Sequence, residues 1–168
     1  MTVEEQETAD EGRLRGLEAM IDGLYRRYPL EDGYDHPAEP LFSSMLDIPH
    51  ASTYIVRMFA RAAFELEADG MSSLTPEFGA FLLRILGRIR PEKNFLWMIS
   101  LAGLALSSDD IEIREAGIRA CESWAIDYPE ECLGLLCAYL DDDRDERRWL
   151  LEYADKVAQG IRYSQNDE

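Results

Sequence analysis

The two histidines of the chain are the side chains best suited to acid–base or metal chemistry, and both lie within residues 29–50. An imidazole exchanges protons near neutral pH and also binds transition metals. With a carboxylate from Asp32, Asp35 or Asp47, His36 and His50 would form a metal or acid–base site. Their separation of 14 residues matches no recognised ligand spacing, however.

Residues 29–50 have two further interpretations. The segment contains four prolines and no helical pattern, so we expect a long loop. Long loops in compact domains are often functional, and this one could form part of a binding surface. Alternatively, its apolar side chains wrap the end of the first helices; these are Tyr34, Leu41, Phe42 and Met45.

The remaining nucleophiles and ligands form no catalytic pattern. Cys121, Cys132 and Cys137 include no CxxC pair, and an odd number of cysteines fits neither a disulfide framework nor a zinc site. The sequence has no nucleophile elbow, P-loop, GxGxxG, HExxH or calcium-binding loop. We therefore predict a protein that is not an enzyme and that holds no cofactor or metal. The alternative is a helical enzyme or metal-binding protein that uses His36, His50 and nearby carboxylates.

The charge of the chain restricts its partners. It carries 34 acidic and 17 basic residues, a net charge of -17. A field of this sign repels nucleic-acid phosphates and anionic lipid surfaces, so we exclude nucleic acid and expect a basic protein partner.

Four cations cluster within residues 75–108. They could bind an anion, but cations also stabilise the C-terminus of a helix, and that explanation suffices; they are Arg84, Arg88, Arg90 and Lys93.

The sequence also predicts where the protein is found. Its first residues, MTVEEQETADEG, resemble no signal peptide. The longest apolar run covers residues 95–106, which is short of the roughly 20 residues that span a bilayer. An odd number of cysteines fits a reducing compartment. We expect a cytoplasmic protein that does not cross a membrane.

Apolar residues recur at helical spacing along most of the chain, which predicts an all-α fold. The clearest helix start is Thr75, an N-cap residue followed by Pro76. About seven helices are predicted, over residues 12–28, 52–68, 75–90, 92–106, 109–127, 129–140 and 143–163. We expect a disordered acidic tail over residues 1–11, a single domain over 12–163 and a frayed terminus over 164–168.

The apolar positions of the third predicted helix recur 35 residues later in the fifth helix and a further 37 residues later in the seventh. The matched sets are Phe78, Ile113 and Leu150; Leu82, Gly117 and Ala154; Leu86, Cys121 and Ala158; and Ile89, Trp124 and Ile161. Such spacing is typical of a short α-solenoid of antiparallel helix hairpins. An irregular helical bundle is the alternative, because all amphipathic helices share one apolar template.

The fifth predicted helix resembles the first helix of HEAT-type repeats. Its sequence DDIEIREAGIRACESWA places the acidic Asp110 before Ile113-Arg114, with small residues at Gly117 and Ala120. The third helix lacks the Ile-Arg pair, so the resemblance is clearest over residues 109–140. It implies a HEAT-like scaffold that binds proteins and assigns no catalytic residue.

If the hairpins stack, the turns near residues 107–110 and 141–143 lie on one edge. Acidic side chains there could bind a basic partner, or could simply cap helix N-termini. The predicted partner-binding residues are Asp109, Asp110, Glu112, Asp141, Asp142, Asp143, Asp145, Glu146 and Trp149. We therefore predict a non-catalytic protein–protein interaction module, similar to antitoxin or immunity proteins. A structural subunit that is stable only in a larger assembly is a third hypothesis, and the sequence does not fix the oligomeric state.

Overall fold

The computed structural model describes residues 1–64, 74–91, 95–142 and 147–167, and every regular element in these ranges is an α-helix. The all-α prediction is thus confirmed. The helices are α1 Val3–Arg27, α2 Glu39–Leu46, α3 Ala51–Phe64, α4 Pro76–Leu86, α5 Phe95–Leu106, α6 Ile111–Trp124, α7 Pro129–Asp141 and α8 Arg148–Asn166. Among the described helices, none combines the length and the apolar character needed to span a membrane.

The chain divides into two compact units, residues 1–59 and 60–168, where the sequence predicted a single domain. The first unit contains α1, α2 and most of α3. The second contains the end of α3 together with α4 to α8. Apolar periodicity reports which face of a helix is buried, but it does not report which helices share a core, so the division was not predicted.

The N-terminal helix begins at Val3, where composition predicted a disordered tail through residue 11. Thr2 and Glu5 form a reciprocal capping box: the Glu5 N–H donates to the Thr2 hydroxyl at 3.2 Å, and the Thr2 N–H donates to the Glu5 carboxylate at 2.8 Å. Acidic side chains in a first turn also favour the positive end of the helix dipole. Similarly, α8 continues to Asn166, beyond the predicted end at residue 163.

Residues 29–50 are not wholly a loop, because they contain the short helix α2. Pro40 lies in its first turn, a position where proline is tolerated. Phe42 and Met45, two of the residues expected to wrap the first helices, are fully buried, and α2 contacts α1. Tyr34, by contrast, is 70% exposed.

In the second unit, the starts of three helices repeat the predicted spacing. The N-cap residues of α4, α6 and α8 are Thr75, Asp110 and Arg147, separated by 35 and 37 residues. N-cap positions are not among the apolar positions that gave the spacing of 35 and 37 residues. They therefore support that spacing independently. The predicted start at Thr75 and Pro76 is confirmed, since the Phe78 N–H donates to the Thr75 hydroxyl at 3.3 Å.

The helices of the second unit contact one another as stacked hairpins would. Helix α6 contacts α4 and α8, and α5 contacts α7. Gly79 lies near Ile113 while Gly87 lies near Ala120, so α4 and α6 run parallel. The first three matched sets of apolar residues are buried at every position. Burial of the same positions in successive helices gives α4, α6 and α8 one continuous apolar seam.

Candidate functional site

The α5–α6 turn and the first turn of α6 carry three of the predicted partner-binding residues, which differ in role. The carboxylate of Asp110 accepts hydrogen bonds from the Glu112 N–H at 2.9 Å and the Ile113 N–H at 3.1 Å. Asp110 is therefore the N-cap of α6, as capping rules predict. Asp109 and Glu112 are exposed. Neither accepts a capping hydrogen bond from a described residue, although Glu112 lies in the first turn of α6, where an acid also favours the positive end of the helix dipole.

The connection between α7 and α8 carries the other predicted residues. Asp141 ends α7, Asp142 is its C-cap, and both are exposed. Trp149 lies in the first turn of α8 and is 47% exposed. Asp143, Asp145 and Glu146 lie outside the described residues.

The order of the helices leads us to expect both connections at the same end of the helices. Short turns reverse the chain after α5 and after α6, so successive connections alternate between the two ends of the hairpins. The ends of the described helices that flank the α5–α6 and α7–α8 connections are two steps apart in this order and are expected to share an end. We call Asp109, Glu112, Asp141 and Asp142 the acidic edge.

A buried cation holds the α5–α6 turn in place. Arg114 is 7% exposed, and its Nη1 donates to the Ser108 carbonyl oxygen at 2.7 Å. The Ser108 hydroxyl in turn accepts from the Asp110 N–H at 3.1 Å. These bonds connect α6 to the turn that presents Asp109. In the sequence, Arg114 is distinguished only as part of the Ile-Arg pair of the HEAT resemblance.

The two histidines have different surroundings. The Nδ1 of His36 accepts from the Ala38 N–H at 3.1 Å, and its Nε2 lies 3.1 Å from the Tyr28 carbonyl oxygen. Both ring nitrogens thus bind backbone groups between α1 and α2, and the ring is 3% exposed. His50 is exposed and has a φ of 65°. Within the described ranges, no three His, Cys, Asp or Glu residues are grouped to hold a metal.

The cluster of cations links two helices. Arg84 of α4 lies 2.8 Å from Glu115 of α6, and Arg90 lies 3.3 Å from Asp127. Both pairs follow from the parallel packing of α4 and α6. The sequence had explained these cations only by their favourable position near the C-terminus of a helix. Lys93 lies outside the described residues. Arg84 and Arg90 therefore each pair with a carboxylate of the neighbouring helix or of the turn that follows it, Arg84 partly buried and Arg90 exposed.

A groove that the sequence did not predict lies between the α6–α7 turn and α8. Its volume is about 630 Å³, and Tyr153 and Glu122 lie on its lining. The Tyr153 hydroxyl donates to the Glu122 carboxylate at 2.7 Å. Burial raises the pKa of Tyr153 well above its usual range, and the Glu122 carboxylate raises it further, so Tyr153 remains a neutral donor.

No protein-family model, curated protein or solved structure matches this chain.

Proposed function

We propose that this chain is a non-catalytic interaction module whose acidic edge binds a basic protein partner. The observation that carries the proposal is that several carboxylates of this edge lack an ion-pair partner among the described residues. Within the described residues, Asp109, Glu112 and Asp141 have no ion-pair partner, although seven ion pairs join other described side chains. Carboxylates that meet no cation among the described residues are suited to lysine or arginine side chains of another protein.

Charge and an aromatic side chain would act together at this edge. The net charge of -17 would steer a basic protein toward the chain and accelerate its capture. Trp149 begins α8 at the same end and is half exposed, so it could supply a tryptophan anchor, the side chain most enriched at interface hot spots. By analogy with small acidic inhibitors, the partner would be a basic toxin or nuclease in the cytoplasm.

A four-site variant tests the acidic edge. It combines Asp109→Asn, Glu112→Gln, Asp141→Asn and Asp142→Asn, and it retains Asp110 because that residue caps α6. The immobilised chain is exposed to an extract of its source organism at about 0.05 M and about 0.5 M salt, conditions under which surface charges are weakly and strongly screened. We expect a basic protein to bind the native chain at low salt only, and not to bind the variant.

A matched control removes the same number of charges elsewhere. Glu4→Gln, Glu7→Gln, Asp32→Asn and Asp35→Asn neutralise four exposed acids of the first unit. This control should retain the partner as the native chain does, measured by quantitative mass spectrometry of the bound fraction. Equal retention by the edge variant, or retention that does not change with salt, would contradict the proposal.

A further inference from the structure

The groove beside the α6–α7 turn is a second surface suited to binding, separate from the acidic edge. It lies between residues 125–129 and the C-terminal half of α8. Ala125, Val157 and Ile161 contribute to its lining, and Ile126 is 79% exposed beside them. Because successive connections alternate in position, the α6–α7 turn is at the opposite end of the hairpins from the acidic edge.

The equivalent turn one step earlier is covered by a side chain of the same chain. Trp124 is 1% exposed, and its Nε1–H donates to the Ile89 carbonyl oxygen, just after α4, at 3.2 Å. Pro91, which follows that turn, is buried. Trp124 therefore supplies both apolar area and a hydrogen-bond donor at the end of α4.

The corresponding position beside the end of α6 holds a smaller side chain. Ile161 follows Trp124 by 37 residues, the same step that separates Asp110 from Arg147. An isoleucine has less volume than an indole and has no N–H to donate. Ile126, which follows Pro91 by 35 residues, is exposed where the proline is buried. We attribute the groove to this replacement of an indole by an aliphatic side chain.

We propose that the groove binds an amphipathic helix of a partner protein, which inserts an aromatic side chain as Trp124 does beside α4. An aromatic ring buries a large apolar area, and an indole can also donate a hydrogen bond. Helices bind apolar grooves through side chains at i, i+3 or i+4 and i+7. A groove of about 630 Å³ accommodates more than one such side chain.

Charges around the groove define the flanks of that helix. Glu122 lies on the lining, and the exposed Glu130 and Glu131 directly follow Pro129, which also lines it. Lys156 is the one cation on the described lining. Lysine or arginine beside the aromatic anchor would complement this acidic margin. The proposal goes beyond the acidic edge, because recognition here depends on aromatic fit and can hold even if the edge binds nothing.

Two glycine substitutions separate filling of the groove from a general effect on the fold. Gly160 lines the groove, and a Cβ added there would meet no atom of a neighbouring element within 4 Å. Because Gly160 is part of the lining, we expect the leucine of Gly160→Leu to fill part of the groove, and leucine also suits a helix interior better than glycine. Gly134→Leu is the matched control: Gly134 lies inside α7, is equally open, and does not line the groove.

The probe is a fluorescein-labelled amphipathic peptide of about 18 residues, or five helical turns. It carries a tryptophan at the centre of its apolar face and lysines on its polar face, and a second peptide replaces the tryptophan by alanine. Fluorescence anisotropy gives Kd, and amide chemical shifts of the ¹⁵N-labelled chain locate the contact. We expect shifts at residues 125–126 and 160–161, and an affinity at least about tenfold weaker for Gly160→Leu or for the alanine peptide. Gly134→Leu should bind as the native chain does.

Free indole serves as a minimal probe of the same contact. If neither the peptide nor indole shifts the amides of residues 125–126 and 160–161, the proposal is overturned. Binding that Gly160→Leu leaves unchanged would overturn it as well. A native dimer that Gly160→Leu converts to a monomer, measured by light scattering, would assign the groove to self-association and overturn the partner helix. Circular dichroism checks that both variants remain helical.

Discussion

At the scale of single residues, the three thiols differ in accessibility. Cys121 and Cys132 are fully buried, and the hydrogen bond with Cys132 together with burial raises the pKa of Cys121. Cys137 is partly exposed, and the Arg162 guanidinium lies 3.2 Å from its sulfur. The thiolate is the reactive form of cysteine. We expect N-ethylmaleimide to label one thiol in the native chain and three after denaturation, measured by intact mass.

Cys137→Ser provides the control for this labelling, since it should abolish the native reaction and leave two sites after denaturation. Rapid native labelling of Cys121 or Cys132 would contradict the expected inertness. It would mean that α6 and α7 separate on the timescale of the reaction.

The two histidines also differ in burial, since His36 is buried and His50 is exposed. Substituting each one measures how much it contributes to stability. His36→Ala would leave the Ala38 N–H and the Tyr28 carbonyl without the imidazole that now binds them. Unpaired buried groups cost about 1–3 kcal/mol, so we expect the free energy of unfolding to fall by about 2 kcal/mol in urea titrations. His50→Asn is the control, because asparagine tolerates the left-handed backbone that His50 adopts. Equal losses for the two variants would disprove the structural role of His36.

At the scale of helices, two glycines distinguish close packing from open surface. A side chain at Gly117 would lie 3.1 Å from the Ala105 side chain and 3.4 Å from the Ala102 carbonyl oxygen. Because the contacted atoms belong to the α5 backbone and to a rigid alanine, we expect Gly117→Ala to displace α5 and to cost about 1–3 kcal/mol. Gly134→Ala meets nothing and should stabilise α7 by about 0.5–1 kcal/mol. Chemical unfolding of both variants measures the difference, and stabilisation by Gly117→Ala would show that the two helices adjust freely.

The sequence predicted some helix boundaries well because the responsible groups are adjacent in the chain. Thr75 and Asp110 accept hydrogen bonds from N–H groups within three residues, so local chemistry determines both starts. Composition does not predict the start of α1, because that start depends on the Thr2-Glu5 capping box and not on apolar content. Helix α2 was missed since it is eight residues long and lies among prolines.

The two candidate sites also differ in whether the residues that determine them are close together in the sequence. The acidic edge could be proposed from sequence, because its residues lie in turns whose order along the chain is visible. The groove could not, since it depends on how much space Ile161 leaves beside a turn more than thirty residues earlier in the chain. Volume left by one side chain beside a distant turn is a property of packing, and periodicity does not report it.

At the scale of the whole molecule, the excess of acid dominates the electrostatics. Even if every one of the 17 cations paired with a carboxylate, half of the 34 acids would remain unpaired. The described ion pairs are mostly exposed, and several join residues three or four positions apart on one helix. Such pairs contribute about 0–1 kcal/mol each, so salt that screens them removes little stability. Repulsion among the remaining acids acts on the whole chain and is screened by the same salt.

The stability of the chain should therefore increase with salt. Between about 0.01 M and about 0.15 M NaCl the Debye length falls from about 30 Å to about 8 Å, which removes most repulsion between distant carboxylates. We expect Tm to rise by about 3 °C, or about 1 kcal/mol, in thermal unfolding followed by circular dichroism. The variant that neutralises the acidic edge carries four fewer negative charges and should gain less. A Tm that falls with NaCl would mean that the exposed ion pairs, and not the excess of carboxylates, determine how charge affects folding.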